Sequence, residues 1–285
     1  DSIVEVKLEG WKMTIGEALK QERIHLGLTQ DEMIQGIIHK SHYSKIERGI
    51  EGISAESLFK ILFAHHIDVD QFLEQIKDDF LSEEDLIELK LENKLKSAFN
   101  GSNKEKIEEC LQEVMKLSDS RIFKYRVVVA VAIVRNQLDR LGDEFKSTII
   151  AEFNAKDNWV ENIDMLRLFA NCIPVFSTEQ ADNYISFLLK HYNEKVLYSE
   201  KYEDRIASIC INYLYCWRNY GLKGNQVKNC LDYLLNLNNT NHFLFYKACG
   251  SFYKCLYEGN IAKAKEVKAM LISLGYEDRV TNWKE

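Results

Sequence analysis

A single proline, Pro174, in 285 residues, with only 13 glycines, constrains this chain more than any other feature. A many-stranded β protein reverses direction every ~8–12 residues and draws its turns from Pro, Gly and Asn-Gly pairs, which are too scarce here. Helices can end on one residue in the left-handed region and need far less of that chemistry. The expected class is therefore all-α. At 46% apolar residues the chain has material for the cores of two domains. Its formal charge of −7 means that any nucleic-acid contact must come from a local basic face. No apolar run approaches the ~18 residues of a membrane span, and the opening DSIVEVKLEGWK lacks the basic and apolar regions of a signal peptide. A cytoplasmic protein without a membrane partner is expected. Residues 1–12, ahead of Met13, are set aside as an appended remnant or arm.

Local patterns organise the first seventy residues. Ile15, Leu19 and Leu26 recur at helical spacing, and Gly27 supplies a stop, predicting a helix over 15–26. Next, TQDE forms a capping box in which Thr29 and Glu32 each satisfy the other's backbone, opening a helix that contributes Met33, Ile34 and Ile37 to a core. A third helix follows after a few residues, in HKSHYSKIERG. There Ser41, Ser44, Lys45 and Arg48 fall at i, i+3, i+4 and i+7, while Tyr43 and Ile46 lie on the opposite side. A basic, hydroxyl-bearing face on the second helix of a tight pair suits the major groove. The candidates for DNA contact are Lys40, Ser41, His42, Ser44, Lys45 and Arg48, with Thr29 and Gln30 offering a helix start to phosphate.

Taken together, ERIHLGLTQDEM, SHYSKIERG and SLFKILFAHHIDVDQFL resemble the phage-repressor-like helix-turn-helix family, a five-helix domain. That resemblance implies base or phosphate contacts by Gln30, Lys40, Ser41 and Lys45, and an internal ion pair between Arg23 and Glu47. Two departures stand out: the inter-helix turn is one residue shorter than the common pattern, and His39 stands where a Ser or Thr cap is usual.

Beyond an acidic stretch, DDFLSEEDLIELKLENKLK, capped at Ser82, the periodicity predicts ten helices. They span roughly 82–98, 103–117, 120–140, 143–154, 157–174, 178–193, 202–220, 224–236, 241–258 and 260–273. The domains are accordingly 13–77 and 78–285. YRVVVAVAIVR, at 125–135, is β-branched enough for a strand, but its flanks continue a helical pattern and no partner strand exists. Helices apolar on several sides, in successive pairs, suit an α-solenoid of tetratricopeptide-like hairpins. With WVENIDMLRLFANCIPVFS inside such a domain and ERGIEGIS after the basic helix, the chain resembles the Rgg family of Gram-positive transcriptional regulators. The resemblance implies a homodimer that binds a double-stranded DNA operator and a short hydrophobic signalling peptide in quorum sensing. Some members can cross-link their DNA-binding domains through a cysteine; here that place reads Ile53, Ser54, Ala55.

An extended peptide needs amides or guanidinium groups for its backbone and apolar walls for its side chains. If the first helix of each hairpin lines the site, the candidates are Arg126, Arg135, Asn136, Arg167, Asn171, Asn212, Tyr213, Trp217, Phe243, Tyr246 and Tyr253. Asn171 stands out, because an amide within LFANCIPVF must find a buried partner or a ligand. The motifs of common catalysts are absent: no Gly-rich phosphate loop, GxSxG or HExxH occurs, and His65 with His66 reads as a helix end. No catalysis, metal or cofactor is expected. The seven cysteines form no CxxC pair and read as reduced, buried thiols. Two alternatives remain open on the residues: a helical-repeat adaptor for other proteins, and a redox regulator using Cys210 with Cys216 or Cys249 with Cys255.

Overall fold

A computed structural model describes residues 13–100, 103–117, 121–194 and 199–284; the reading of residues 1–12 falls outside them. Among the described residues all regular structure is helical. The chain divides into two compact units within one helix, between Ile87 and Glu88.

The first unit contains α1 (Ile15–His25), α2 (Gln30–Ile34), α3 (Lys40–Glu47), α4 (Ala55–Ala64) and α5 (Val69–Phe80). Short polar side chains start them. Thr14 with Glu17, and Thr29 with Glu32, form complete capping boxes, and Ser54 and Asp68 cap α4 and α5. His39 begins α3 with no side-chain bond to the freed amides. The α2 helix is a single long turn, closed by Gln35 and Gly36 at φ 46° and 78°. Leu19, Met33, Tyr43, Ile46, Ile61 and Phe72 fill the core, and each such side chain contributes ~1.5–3 kcal/mol by leaving water. The α1 and α3 helices meet so closely at Gly16 that a Cβ there would run into the Ile46 carbonyl oxygen.

In the second unit lie most of α6 (Glu83–Asn100), then α7 (Lys104–Val114), α8 (Arg121–Val134), α9 (Asp143–Asn154), α10 (Ile163–Cys172), α11 (Thr178–Glu194), α12 (Glu200–Asn219), α13 (Val227–Asn236), α14 (Leu244–Tyr257), α15 (Ile261–Ser273) and α16 (Glu277–Val280). The first helices of successive hairpins stack on one another, α8 on α10, α10 on α12 and α12 on α14, while α7, α13 and α15 pack against them. This is the tetratricopeptide-like solenoid expected from the alternation. The β-branched run is helical because α8 is buried between α7 and α10, with Val127, Val129, Ala130 and Val131 all in the interior.

Three predicted helices give up an end to a 3-10 turn. The segment 120–140 stops at Val134 because Asn136 adopts φ 54° and a 3-10 turn follows at Leu138–Arg140. The segment 157–174 begins as a 3-10 turn at Trp159–Glu161, and Asn162 then caps α10 through the Asp164 and Met165 amides. It ends at Cys172, before a 3-10 turn that holds Pro174. Residues 241–243 are likewise a 3-10 turn ahead of α14. Past the last predicted helix, α16 and Trp283 close the end of the unit, with the Trp283 ring tilted 36° against Phe252 at a centroid distance of 4.4 Å.

Candidate functional sites

The first site is built on α2 and α3. Tyr43, Ile46 and Glu47 turn inward, whereas Lys40, Ser41 and Arg48 are exposed and His42, Ser44 and Lys45 half-buried. Glu47 fixes the angle of the helix pair. Arg23 Nε donates to Glu47 Oε1 at 2.6 Å and its Nη2 to Oε2 at 3.1 Å, and Gln30 Nε2 donates to Oε2 at 2.8 Å. Burial raises the Glu47 carboxyl pKa, but the bonds from Arg23 and Gln30 outweigh it and hold the group below the usual range. Gln30 therefore spends its side-chain amide inside the unit, and only the remaining donors at that helix start face outward. Thr29 is similarly committed to its capping box with Glu32.

On the outer face the cations carry carboxylate partners. Lys40 pairs with Asp31, Lys45 Nζ donates to Glu51 Oε1 at 2.5 Å, and His42 Nε2 lies 3.2 Å from the Gly52 carbonyl oxygen and 3.5 Å from Glu51 Oε2. Arg48 Nε donates to the Ser44 carbonyl at 3.1 Å, leaving the rest of its guanidinium outward. Exposed pairs of this kind contribute little, so a phosphate can exchange with Asp31 or Glu51.

The second site lies on the stacked helices of the repeat unit. Arg126 is buried on α8, with Nη2 donating to Glu92 Oε1 of α6 and Nε to Asn171 Oδ1 of α10, both at 2.9 Å. Arg167 Nη1 lies 3.6 Å from Glu92 Oε2 and 3.1 Å from Asp164 Oδ1. On α12, Asn212 Nδ2 donates to the Ala170 carbonyl at 2.8 Å, and Tyr246 of α14 lies near Ser208 and Asp204. Burial opposes the Glu92 charge, yet Arg126 and then Arg167 keep its pKa lowered.

Arg126, Arg167, Asn171, Asn212 and Tyr246 thus share one polar face, and the six other predicted residues do not. Tyr213, Phe243 and Tyr253 are corrected to core side chains, each at most 1% exposed. Tyr213 points to another side of α12, donating to Asp182 and accepting from the Gln226 amide. Asn136 forms the turn after α8, and exposed Arg135 is tied to Glu108 at 2.8 Å. Half-buried Trp217 packs edge-on to Tyr257, with centroids 6.1 Å apart. The face also holds residues the sequence reading passed over: Glu92, Lys96, Arg205 and Ser208. Arg205 and Ser208 were within reach, because they precede Asn212 by seven and four residues on the same helical stripe.

A surface cavity of about 720 Å³, lined by Tyr192, Asn193, Glu203, Asn229, Asp232 and Tyr233 among others, shares no residue with this face. All seven cysteines are buried and free, with burial pushing the Cys172 and Cys216 thiols up to about 12. The described residues contain no group of three or more His, Cys, Asp or Glu able to hold a metal, and no helix among them is long and apolar enough to cross a membrane.

Comparison with known proteins places both units. Residues 19–71 match the Helix-turn-helix family. No curated protein matches the chain in sequence. Among solved structures, a candidate transcriptional regulator from Listeria monocytogenes EGD-e superposes with a TM-score of 0.72 at 20% identity, over 93% of each chain. The Streptococcus dysgalactiae SHP pheromone receptor Rgg2 superposes with 0.66 at 13% identity, over 92% of this chain and 94% of the receptor. A bacterial peptide pheromone/receptor complex, described with its mechanism of gene regulation, gives 0.63 at 19% identity over 93% of each chain. The shared fold spans nearly the whole length in each case.

Proposed function

We propose that this protein is a cytoplasmic, non-enzymatic transcriptional regulator of the Rgg type. On this reading the α2–α3 pair reads an operator, and the polar face of the repeat unit binds a short, mostly hydrophobic signalling peptide that alters DNA binding. The observation that carries the proposal is the extent of the likeness. The fold shared with a pheromone receptor runs through both units, and the repeat unit presents guanidinium and amide groups on stacked helices, which is the chemistry an extended backbone requires. A homodimer fits the DNA role, since two half-sites each read by one α3 give affinity that a single domain lacks.

The test is fluorescence anisotropy of the full-length protein on duplex DNA from upstream of its own gene, across a salt series, with and without a library of short hydrophobic peptides. Binding should weaken steeply with salt. Lys45→Ala should lower affinity and reduce the salt slope by about 1, and at least one peptide should shift the curve. Salt-independent binding, or none to any duplex, overturns the DNA role; binding that no peptide alters overturns the sensing role.

A further inference from the structure

The polar face of the repeat unit carries more positive charge than its own carboxylates offset. At its centre the buried Glu92 carboxylate receives Arg126 at 2.9 Å and Arg167 at 3.6 Å, and Asp164 reaches Arg167 from the surface at 3.1 Å. Two further cations lie within electrostatic reach of this group. The Arg205 guanidinium has its pKa lowered by burial, and then by Arg167 and Arg126. At the rim, exposed Lys96 is lowered first by the loss of surrounding water, and then by Arg205, Arg167 and Arg126 against the pull of Glu92. Four cations therefore gather about Glu92 and Asp164, with Asp204 beside Tyr246 as the third carboxylate of the face, and crowding like charges together is unfavourable unless something anionic joins them.

The geometry also leaves donors waiting. Arg167 Nε and Arg205 Nε are buried and have no hydrogen-bond partner among the described residues. An arginine Nε–H and a neighbouring Nη–H form the planar fork that takes a carboxylate through two parallel bonds. Arg23 grips Glu47 in that way elsewhere in the molecule. The Glu92 charge beside the vacant donors favours a monoanion over a doubly charged phosphate.

We propose that this cluster receives a carboxylate of the bound peptide, either its C-terminal carboxylate or an acidic side chain, on the forks of Arg167 and Arg205. The proposal rests on the reading of this unit as a peptide receptor and adds the chemical class of the anchoring group.

Three fluorescein-labelled libraries of short peptides composed of Leu, Ile, Val, Phe, Ser and Gly test it on the full-length protein: one with a free C-terminal carboxylate, one C-terminally amidated, and one amidated but carrying a single Asp. The amidated library should bind at least about tenfold more weakly than one of the others, as expected for loss of a charge-assisted bidentate contact. The stronger of those two identifies the source of the carboxylate. Arg205→Gln should remove the discrimination while raising the melting temperature of the ligand-free protein, because it relieves repulsion; Arg205→Lys, which keeps the charge and loses the fork, should remove most of it. Equal binding of all three libraries overturns the carboxylate anchor and leaves the peptide reading standing. Binding of none overturns both, and a variant Arg205→Gln that melts lower and still discriminates overturns the anchor.

Discussion

Replacing Glu47 with Ala should unlock the α1–α3 clamp, and the structure sets the size of the effect. Glu47 accepts two bonds from Arg23 and one from Gln30, with side-chain exposures of 5% for Glu47 and 16% for Arg23. Removing one member of a buried pair costs about 3–5 kcal/mol. Arg23 keeps its bond to the Leu28 carbonyl at 3.0 Å and is near enough to the surface to turn toward water, which places the loss at the low end, about 3 kcal/mol, or roughly a hundredfold in an opening equilibrium. Because a chain of two units need not melt in one step, the assay is native-state hydrogen exchange on the full-length protein, read at the amides of α1 and α3. Protection there should fall about a hundredfold, while α10 and α12 in the other unit stay unchanged. DNA affinity should fall as well, since Glu47 holds α3 in place. The sign of the pH dependence follows from the lowered carboxyl pKa: the stabilisation is present above the unfolded value of 4.5 and is lost as pH falls through the lower folded value. Below pH 4.5 the protection of α1 and α3 should therefore decline more steeply in the wild type than in Glu47→Gln. Unchanged protection in Glu47→Ala would refute the reasoning, since it would mean that the clamp contributes nothing.

Two further outcomes follow from close packing and from burial. Gly16→Ala forces a Cβ against the Ile46 carbonyl oxygen on rigid backbone, so α1 and α3 must separate. A loss of about 1–3 kcal/mol should appear as reduced exchange protection in the first unit, even though Ala is the better helix former; a stabilised variant would show that the helices do not meet there. All seven cysteines are buried, and thiolate is the reacting form. Iodoacetamide at pH 8 should therefore leave the native protein unlabelled and modify every thiol after denaturation; rapid labelling of Cys210, Cys216, Cys249 or Cys255 would revive a redox role.

What could be read from residues alone divides along a physical line. The capped helix starts of the first unit and the inward residues of α3 are set by near neighbours in sequence, through caps and spacing. Those were legible. Side-chain partners across helices were not, because a polar residue at a helix start serves a phosphate or a buried carboxylate equally well, and only the fold shows that Gln30 turns to Glu47. Aromatic residues fail for a related reason. Asn212 and Tyr213 are adjacent in sequence and therefore point about 100° apart on α12, so they cannot both lie on the ligand face; the aromatic one went to the core. Amphipathicity could not separate them, since the stacked helices are buried on more than one side. The surer signal is a polar residue on the stripe of another polar residue, which links Arg205 and Ser208 to Asn212, and Arg167 to Asn171. Glu92 defeats even that rule. It closes the run Glu83, Glu84, Asp85, Glu88, Glu92, where Glu83 and Asp85 are exposed, and nothing in the order of residues distinguishes the carboxylate that draws the arginines together from those that merely face water. Its distinction comes from the helix that covers it, and so from the fold.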